Sequence, residues 1–270
     1  MLQKITTKIQ SEIIRYTSFL SQEYHSDYCT DLIAICRNEG IEIHCDDYGT
    51  SFDGCLVFDA PKFHIHLNIS KGNLLSSNRG RYTLAHELGH YFIDSHRVSL
   101  RQGLIKPHPS KMTLFHTDKM EIEANYFASN LLMPKNVLRK FSGGRKFSFN
   151  IIKEISTAFN VSITSAVIQF SAIGTHEIFA TFSEQKNVKW FVRSSDFPNL
   201  PLRFKVGGIL PETTVVGEFF NKPDCKYTSV EKVFIEDWFY KNKYSPSYQL
   251  YEQCFYCDVY GYVISLVWFE

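Results

Sequence analysis

The sequence has no long apolar run. No stretch approaches the roughly 20 consecutive apolar residues that a membrane-spanning helix requires. The opening MLQKITTKIQSEIIRYTSFL is interrupted by polar residues every few positions, so it lacks the apolar segment of a secretory leader. There is no excess of charge of either sign: 29 Lys and Arg stand against 28 Asp and Glu. Global electrostatics therefore give no reason to expect direct binding to nucleic acid, an anionic membrane or an acidic partner. Seven cysteines, an odd number scattered unevenly, exclude a regular disulfide framework and fit reduced thiols. Repeats and low-complexity segments are missing too. These absences point to a cytoplasmic globular protein with no membrane association.

What is present divides into two textures. The 270 residues suit one large domain or two modest ones, and the apolar fraction of 44% is ordinary for a packed core. Ile5, Ile9, Ile13, Tyr16 and Leu20 recur at helical spacing, and Asp27 to Glu39 reads as a second helix stopped by Gly40. IEIHC, GCLVFD and KFHIHLNI then read as a small antiparallel sheet. Arg81 to Asp94 turns helical, Ser95 to Thr117 reads as loop, and Lys119 to Met133 is a strong helix ended by Pro134. FSGGRK at 141–146 looks like a hinge before a helical pair within 147–173. Beyond Gly174 strands and aromatics dominate, closing on a buried strand in YVISLVWF. The expected class is α+β, with one domain over 1–184, including the helical pair, and a smaller α+β domain over 185–270.

The motif with the most chemical content is His86-Glu87-Leu88-Gly89-His90. Residues four apart on a helix project from one face, so His86 and His90 can share one metal ion. Glu87 lies beside them, placed to take a proton from a water that zinc has acidified. A catalytic zinc needs a third protein ligand and an open position. The next strong helix offers Glu121 and Glu123, of which only one can face the metal, since residues two apart point differently. Glu121 carries Asn125 four residues on, where an amide can hold a ligand imidazole, whereas Glu123 carries the core-like Phe127. Glu121 is therefore the expected ligand, Asn125 its supporting neighbour, and Glu123 dispensable for one zinc ion per chain.

These residues resemble the ImmA/IrrE family of metallopeptidases. Arg81-Tyr82-Thr83-Leu84-Ala85 before the histidine motif is similar to that family's R-x-T-x-A lead, and MEIEANYFASNLLMP is similar to its second motif, whose leading glutamate binds zinc and aligns with Glu121. The upstream text DLIAICRNEGIEI and HIHLNIS is also similar, so the resemblance covers about residues 27–175. It implies a gluzincin-like domain of small sheet and zinc-binding helices, acting on cytoplasmic proteins. Such members are associated with cleaving a partner transcriptional repressor in mobile elements or stress responses. Many relatives carry an N-terminal repressor-like DNA-binding domain, and no such domain is seen here. The competing expectation is a metal-binding regulatory or sensor module in which hydrolysis is dispensable.

Other signals are weaker. His66, sharing a strand face with His64, is a candidate substrate contact, and His116, His96, Tyr91 and Tyr126 are candidates to stabilise an oxyanion. The helical pair resembles a DNA-binding turn, but Glu154 to Gln185 contains no Lys or Arg to neutralise phosphate. Cys254 and Cys257 form a lone C-x-x-C without two further ligands nearby. The aromatics Trp190, Phe191, Trp238, Phe239 and Tyr240 either present a surface to a partner or ligand or pack as core.

Overall fold

The computed structural model describes residues 5–107, 109–111, 118–173, 175–220, 228–243, 245, 247–257 and 261–270. The chain divides into two compact units. The first comprises Met1–Leu138 with Glu154–Ser165; the second comprises Arg139–Lys153 with Ala166–Glu270.

In the first unit, α1 (Thr7–Glu23) buries Ile13, Thr17 and Leu20 and leads into a two-residue hairpin, β1 (His25–Ser26) and β2 (Cys29–Thr30). Asp27 and Tyr28 both hold positive φ, as the tight turns that match strand twist demand. The helix expected from Asp27 therefore starts later, as α2 (Leu32–Asn38), where the Asp31 carboxylate accepts from the backbone N–H groups of Ile33 and Ala34. Three strands follow: β3 (Glu42–Asp46), β4 (Gly54–Asp59) and β5 (Lys62–Asn68). They lie in the order β3-β5-β4. The pairing of β4 with β5 is antiparallel, as expected, but β3 runs parallel to β5, so the sheet is mixed. Strand alternation carries no information about direction, which is why the sequence missed this.

Next come α3 (Asn78–Phe92), α4 (Asp94–Arg101) and α5 (Lys119–Leu132). The second of these falls where loop was expected: a helix of about two turns buries only His96 and Leu100, too short a pattern to read by period. Beyond Pro134 lie α6 (Lys135–Ser142), α7 (Phe149–Ala158) and α8 (Ile163–Ile173). All three of these helices have residues in both units. No single helix among the described residues is long and apolar enough to cross a membrane.

The second unit is built on five strands. They are β6 (Ile178–Glu184) and β7 (Asn187–Arg193), then, after α9 (Val215–Phe219), β8 (Glu231–Val233), and after α10 (Ile235–Trp238), β9 (Leu250–Cys257) and β10 (Tyr262–Phe269). Their order is β7-β6-β10-β9-β8, antiparallel throughout. The boundary expected at 184/185 therefore falls inside a hairpin of this sheet, between the paired strands β6 and β7. Trp238 and Phe239 are fully buried with Phe179, Phe197 and Val263, and Trp190 stacks on Phe182 with centroids 3.8 Å apart. Most of the named aromatics are thus core; Tyr240 alone is well exposed. Cys254 is buried among them and belongs to no metal-ligand group among the described residues. Glu252 is also fully buried, and both of its oxygens accept. One takes the Val215 N–H and the Trp238 indole N–H; the other takes the Val216 N–H and the Ser265 hydroxyl. It holds the N-terminus of α9, where backbone donors are otherwise unpaired.

Candidate metal centre

The centre is made where α3 crosses α5. The Ser77 hydroxyl accepts from the Gly80 N–H and starts α3 three residues before the expected Arg81. The carboxylate of Asp118 accepts from the N–H groups of Met120 and Glu121 and starts α5. The helices approach closely because position 89 is glycine. A Cβ there would sit 3.1 Å from both Cα and O of Ala124 and 3.2 Å from Cβ of Phe127. Glu121, one turn before Ala124, is thereby brought up to the histidines.

His86 Nε2 and His90 Nε2 lie 3.2 Å apart, with the Glu121 carboxylate oxygens 3.3 Å from the first and 3.2 Å from the second. All three groups are buried and their ligand atoms fall within 4.8 Å of one another. Two nitrogens bound tetrahedrally to zinc at about 2.0–2.1 Å stand about 3.3 Å apart, so the spacing suits that ion. The charge state suits it as well. Burial lowers the His90 pKa to about 4, keeping the ring neutral as a ligand must be. For Glu121 burial raises the pKa, but the hydrogen bonds of both imidazoles outweigh it and hold the carboxyl well below its ordinary range. Burial also pulls His86 down, yet Glu121 and Glu87 together pull its pKa up: the site gathers negative charge that a cation would balance.

Each ring nitrogen facing away from the cluster is engaged. His86 Nδ1 donates to Asn125 Oδ1 at 3.0 Å, and the same oxygen accepts from Tyr82 Oη at 3.1 Å. His90 Nδ1 lies 3.2 Å from His96 Nδ1, and His96 Nε2 lies 3.0 Å from Glu123 Oε2. With the Glu123 carboxylate accepting from His96 Nε2–H, His96 Nδ1 is left to accept from His90 Nδ1–H. Both cluster histidines then present Nε2 lone pairs to the same point. Glu123 is therefore not idle, contrary to expectation: it ends a chain that orients His90. The buried His96 is part of that chain and not an oxyanion contact.

The carboxyl of Glu87 is fully buried, with no close hydrogen bond to either oxygen among the described residues; the Ser110 hydroxyl and the Leu56 backbone lie near enough to favour its charged form only weakly. Burial pushes its pKa up to about 7 against the pull of His86. Its space is left by Gly54 of β4, where a Cβ would come within 2.6 Å of Glu87 Oε1 and of Thr83 Cγ2. The start of β4 is anchored by Asp53, whose carboxylate accepts from Arg79 Nη2 at 2.6 Å and from Asn73 Nδ2 at 3.1 Å. Asn73 in turn accepts from Thr83 Oγ1. Sequence reasoning missed this network, since its members are spread over 30 residues with no shared period.

Two further candidates are not brought to the centre. Gly54 faces α3 and pairs with Leu67, so Leu67 and Ile65 face α3 and His66, between them, points to the opposite side of the sheet. There its Nδ1 meets Tyr48 Oη at 2.9 Å. The Tyr91 hydroxyl donates to Glu39 Oε2, because the residue after His90 is turned about 100° around the helix. His116 lies outside the described residues.

Two imidazoles and a carboxylate thus converge beside a buried carboxyl, a donor set that could hold a metal ion. Residues 60–171 match the family model described as Peptidase_M78, the IrrE N-terminal-like domain, which shows over that segment the ImmA/IrrE resemblance carried by the two motifs. Among solved structures, the chain is similar to a Mycobacterium tuberculosis transcriptional regulator at 12% identity, over 98% of this chain and 77% of that one, with a TM-score of 0.58. At that identity the likeness is one of fold. No curated protein matches the sequence.

Proposed function

We propose that the chain is a zinc-dependent endopeptidase that hydrolyses a peptide bond in a cytoplasmic protein, a partner transcriptional repressor being the first candidate. The observation that carries this reading is Glu87. A carboxyl buried so deeply that desolvation outweighs every neighbour's pull is costly, and a metal held only for structure would not need it. His86, His90 and Glu121 would hold the zinc, which when bound supplies Lewis acidity to a carbonyl and to water. Glu87, with a pKa near neutrality, accepts the proton of the attacking water and returns it to the leaving amine. Asn125 and the His96–Glu123 chain keep both rings in the tautomer that binding needs. Ser110 pairs with the edge of β4 at Gly54, and beyond it this edge strand would offer backbone groups to an extended substrate.

The test is Glu87→Gln. The variant should keep its metal and lose turnover by about 10²–10⁴-fold or more, since an amide cannot take the proton. His86→Ala, His90→Ala and Glu121→Ala should each lose metal. Near wild-type cleavage by the Glu87→Gln protein would place the base elsewhere. A second reading, a regulatory module in which hydrolysis is dispensable, is favoured by the fold likeness to a transcriptional regulator over both units. It requires that Glu87→Gln retain the biological output.

A further inference from the structure

The face of the three-stranded sheet turned away from α3 carries a second cluster of metal-ligating side chains. Glu42 and His44 are two apart on β3 and so share a face; His64 on β5 is the direct partner of Glu42 in the parallel register. His44 Nε2 lies 3.2 Å from His64 Nδ1, and Glu42 Oε2 lies 3.7 Å from the same nitrogen. The three ligand atoms fall within 4.8 Å of one another. The rings are not free to splay. His44 is stacked between His64 and His66 at centroid distances of 5.4 and 5.0 Å, and His66 is pinned in turn by Tyr48. The other oxygen of Glu42 is taken by Lys62 Nζ at 2.7 Å, which fixes the carboxylate with Oε2 toward the imidazoles.

We propose that Glu42, His44 and His64 form a second site for a borderline divalent transition-metal ion, zinc in the first instance, separate from the α3–α5 centre. The nitrogen separation matches the roughly 3.3 Å spanned by two imidazoles on a tetrahedral zinc. Two imidazoles and one carboxylate select zinc, nickel or copper over magnesium or calcium, which prefer all-oxygen shells. Because β3 is an edge strand held by β5 alone, an ion here ties the edge of the sheet to its central strand. The site is partly exposed, so its metal exchanges more readily than one in the buried centre.

Equilibrium dialysis of the full chain against zinc, with the bound metal counted by plasma mass spectrometry, tests this. The wild type should take two equivalents. The His44→Ala/His64→Ala protein should take one, with the tighter equivalent retained, and Glu42→Gln should weaken only the looser one. His86→Ala/His90→Ala should also take one, but keep the looser equivalent. The proposal is overturned if removing His44 and His64 leaves the count unchanged in protein of native circular dichroism. It is overturned equally if the wild type takes a single equivalent that only the α3 substitutions abolish. If the α3 substitutions instead leave both equivalents, it is the reading of the buried centre that fails.

Discussion

Gly89→Ala separates two effects of opposite sign. On helix propensity alone, alanine inside α3 should stabilise by about 1 kcal/mol. The helix crossing says otherwise. The new methyl would stand 3.1 Å from the backbone of Ala124 and 3.2 Å from Phe127 Cβ, tighter than nearly all such contacts, and backbone cannot rotate away as a flexible side chain does. Overpacking of this kind costs about 1–3 kcal/mol. The net expectation is a loss of about 0–2 kcal/mol, or up to several degrees of melting temperature for a unit of about 150 residues. The metal should report the displacement more sharply. Relief of the clash moves α5 by a few tenths of an ångström, and Glu121 moves with it. Metal–ligand distances tolerate about 0.2 Å. Zinc affinity, measured by competition with a chromophoric chelator, should fall at least about 10-fold, the scale on which misplaced support for ligands is felt. A variant that melts higher than wild type in the metal-free state and binds zinc normally would refute the close crossing.

Three other outcomes follow from the buried carboxyls. Between its unfolded pKa near 4.5 and its folded value of about 7, Glu87 binds more protons folded than unfolded, so metal-free stability falls as pH rises through that window, by roughly 3 kcal/mol in all. Chemical denaturation of Glu87→Gln at pH 5 and pH 8 should show that part of the decline removed. Glu123→Ala should lower zinc affinity by about 10-fold without abolishing it, because His96 is then free to turn and His90 loses its acceptor; unchanged affinity would make the chain ornamental. Glu252→Gln, though isosteric and uncharged, should destabilise the second unit by at least about 2 kcal/mol in urea titrations, since its amide would point N–H groups at backbone and indole donors that cannot reorient.

The centre was largely legible because its determinants are local. Two histidines one turn apart, the glutamate between them, and Asn125 four residues after Glu121 are statements about helix geometry, and the structure brings those groups together. What could not be read depends on tertiary placement. Glu123 and His96 meet across 27 residues, and nothing in either neighbourhood marks them as partners. His66 was correctly placed on one strand face with His64, but which face meets α3 is decided by Gly54, a residue whose importance lies in what it leaves empty. In the second unit most of the aromatics that suggested a surface are buried, Tyr240 excepted, because the sheet fills its interior with large side chains.

The position of β10 bears on how the molecule is made. Among the described strands it follows the other four of its sheet in the chain, yet it lies third of five, between β6 and β9. Every residue from Tyr262 to Phe269 is buried there. On the ribosome, β6 and β9 wait with open edges until those residues emerge, while His86, His90 and Glu121 are translated long before. A chain stopped early thus carries the whole buried donor set attached to unpaired, apolar strands, the state most readily captured by chaperones or aggregated. Completion of this sheet is in this way tied to translation through β10, well after the residues of the metal centre have emerged.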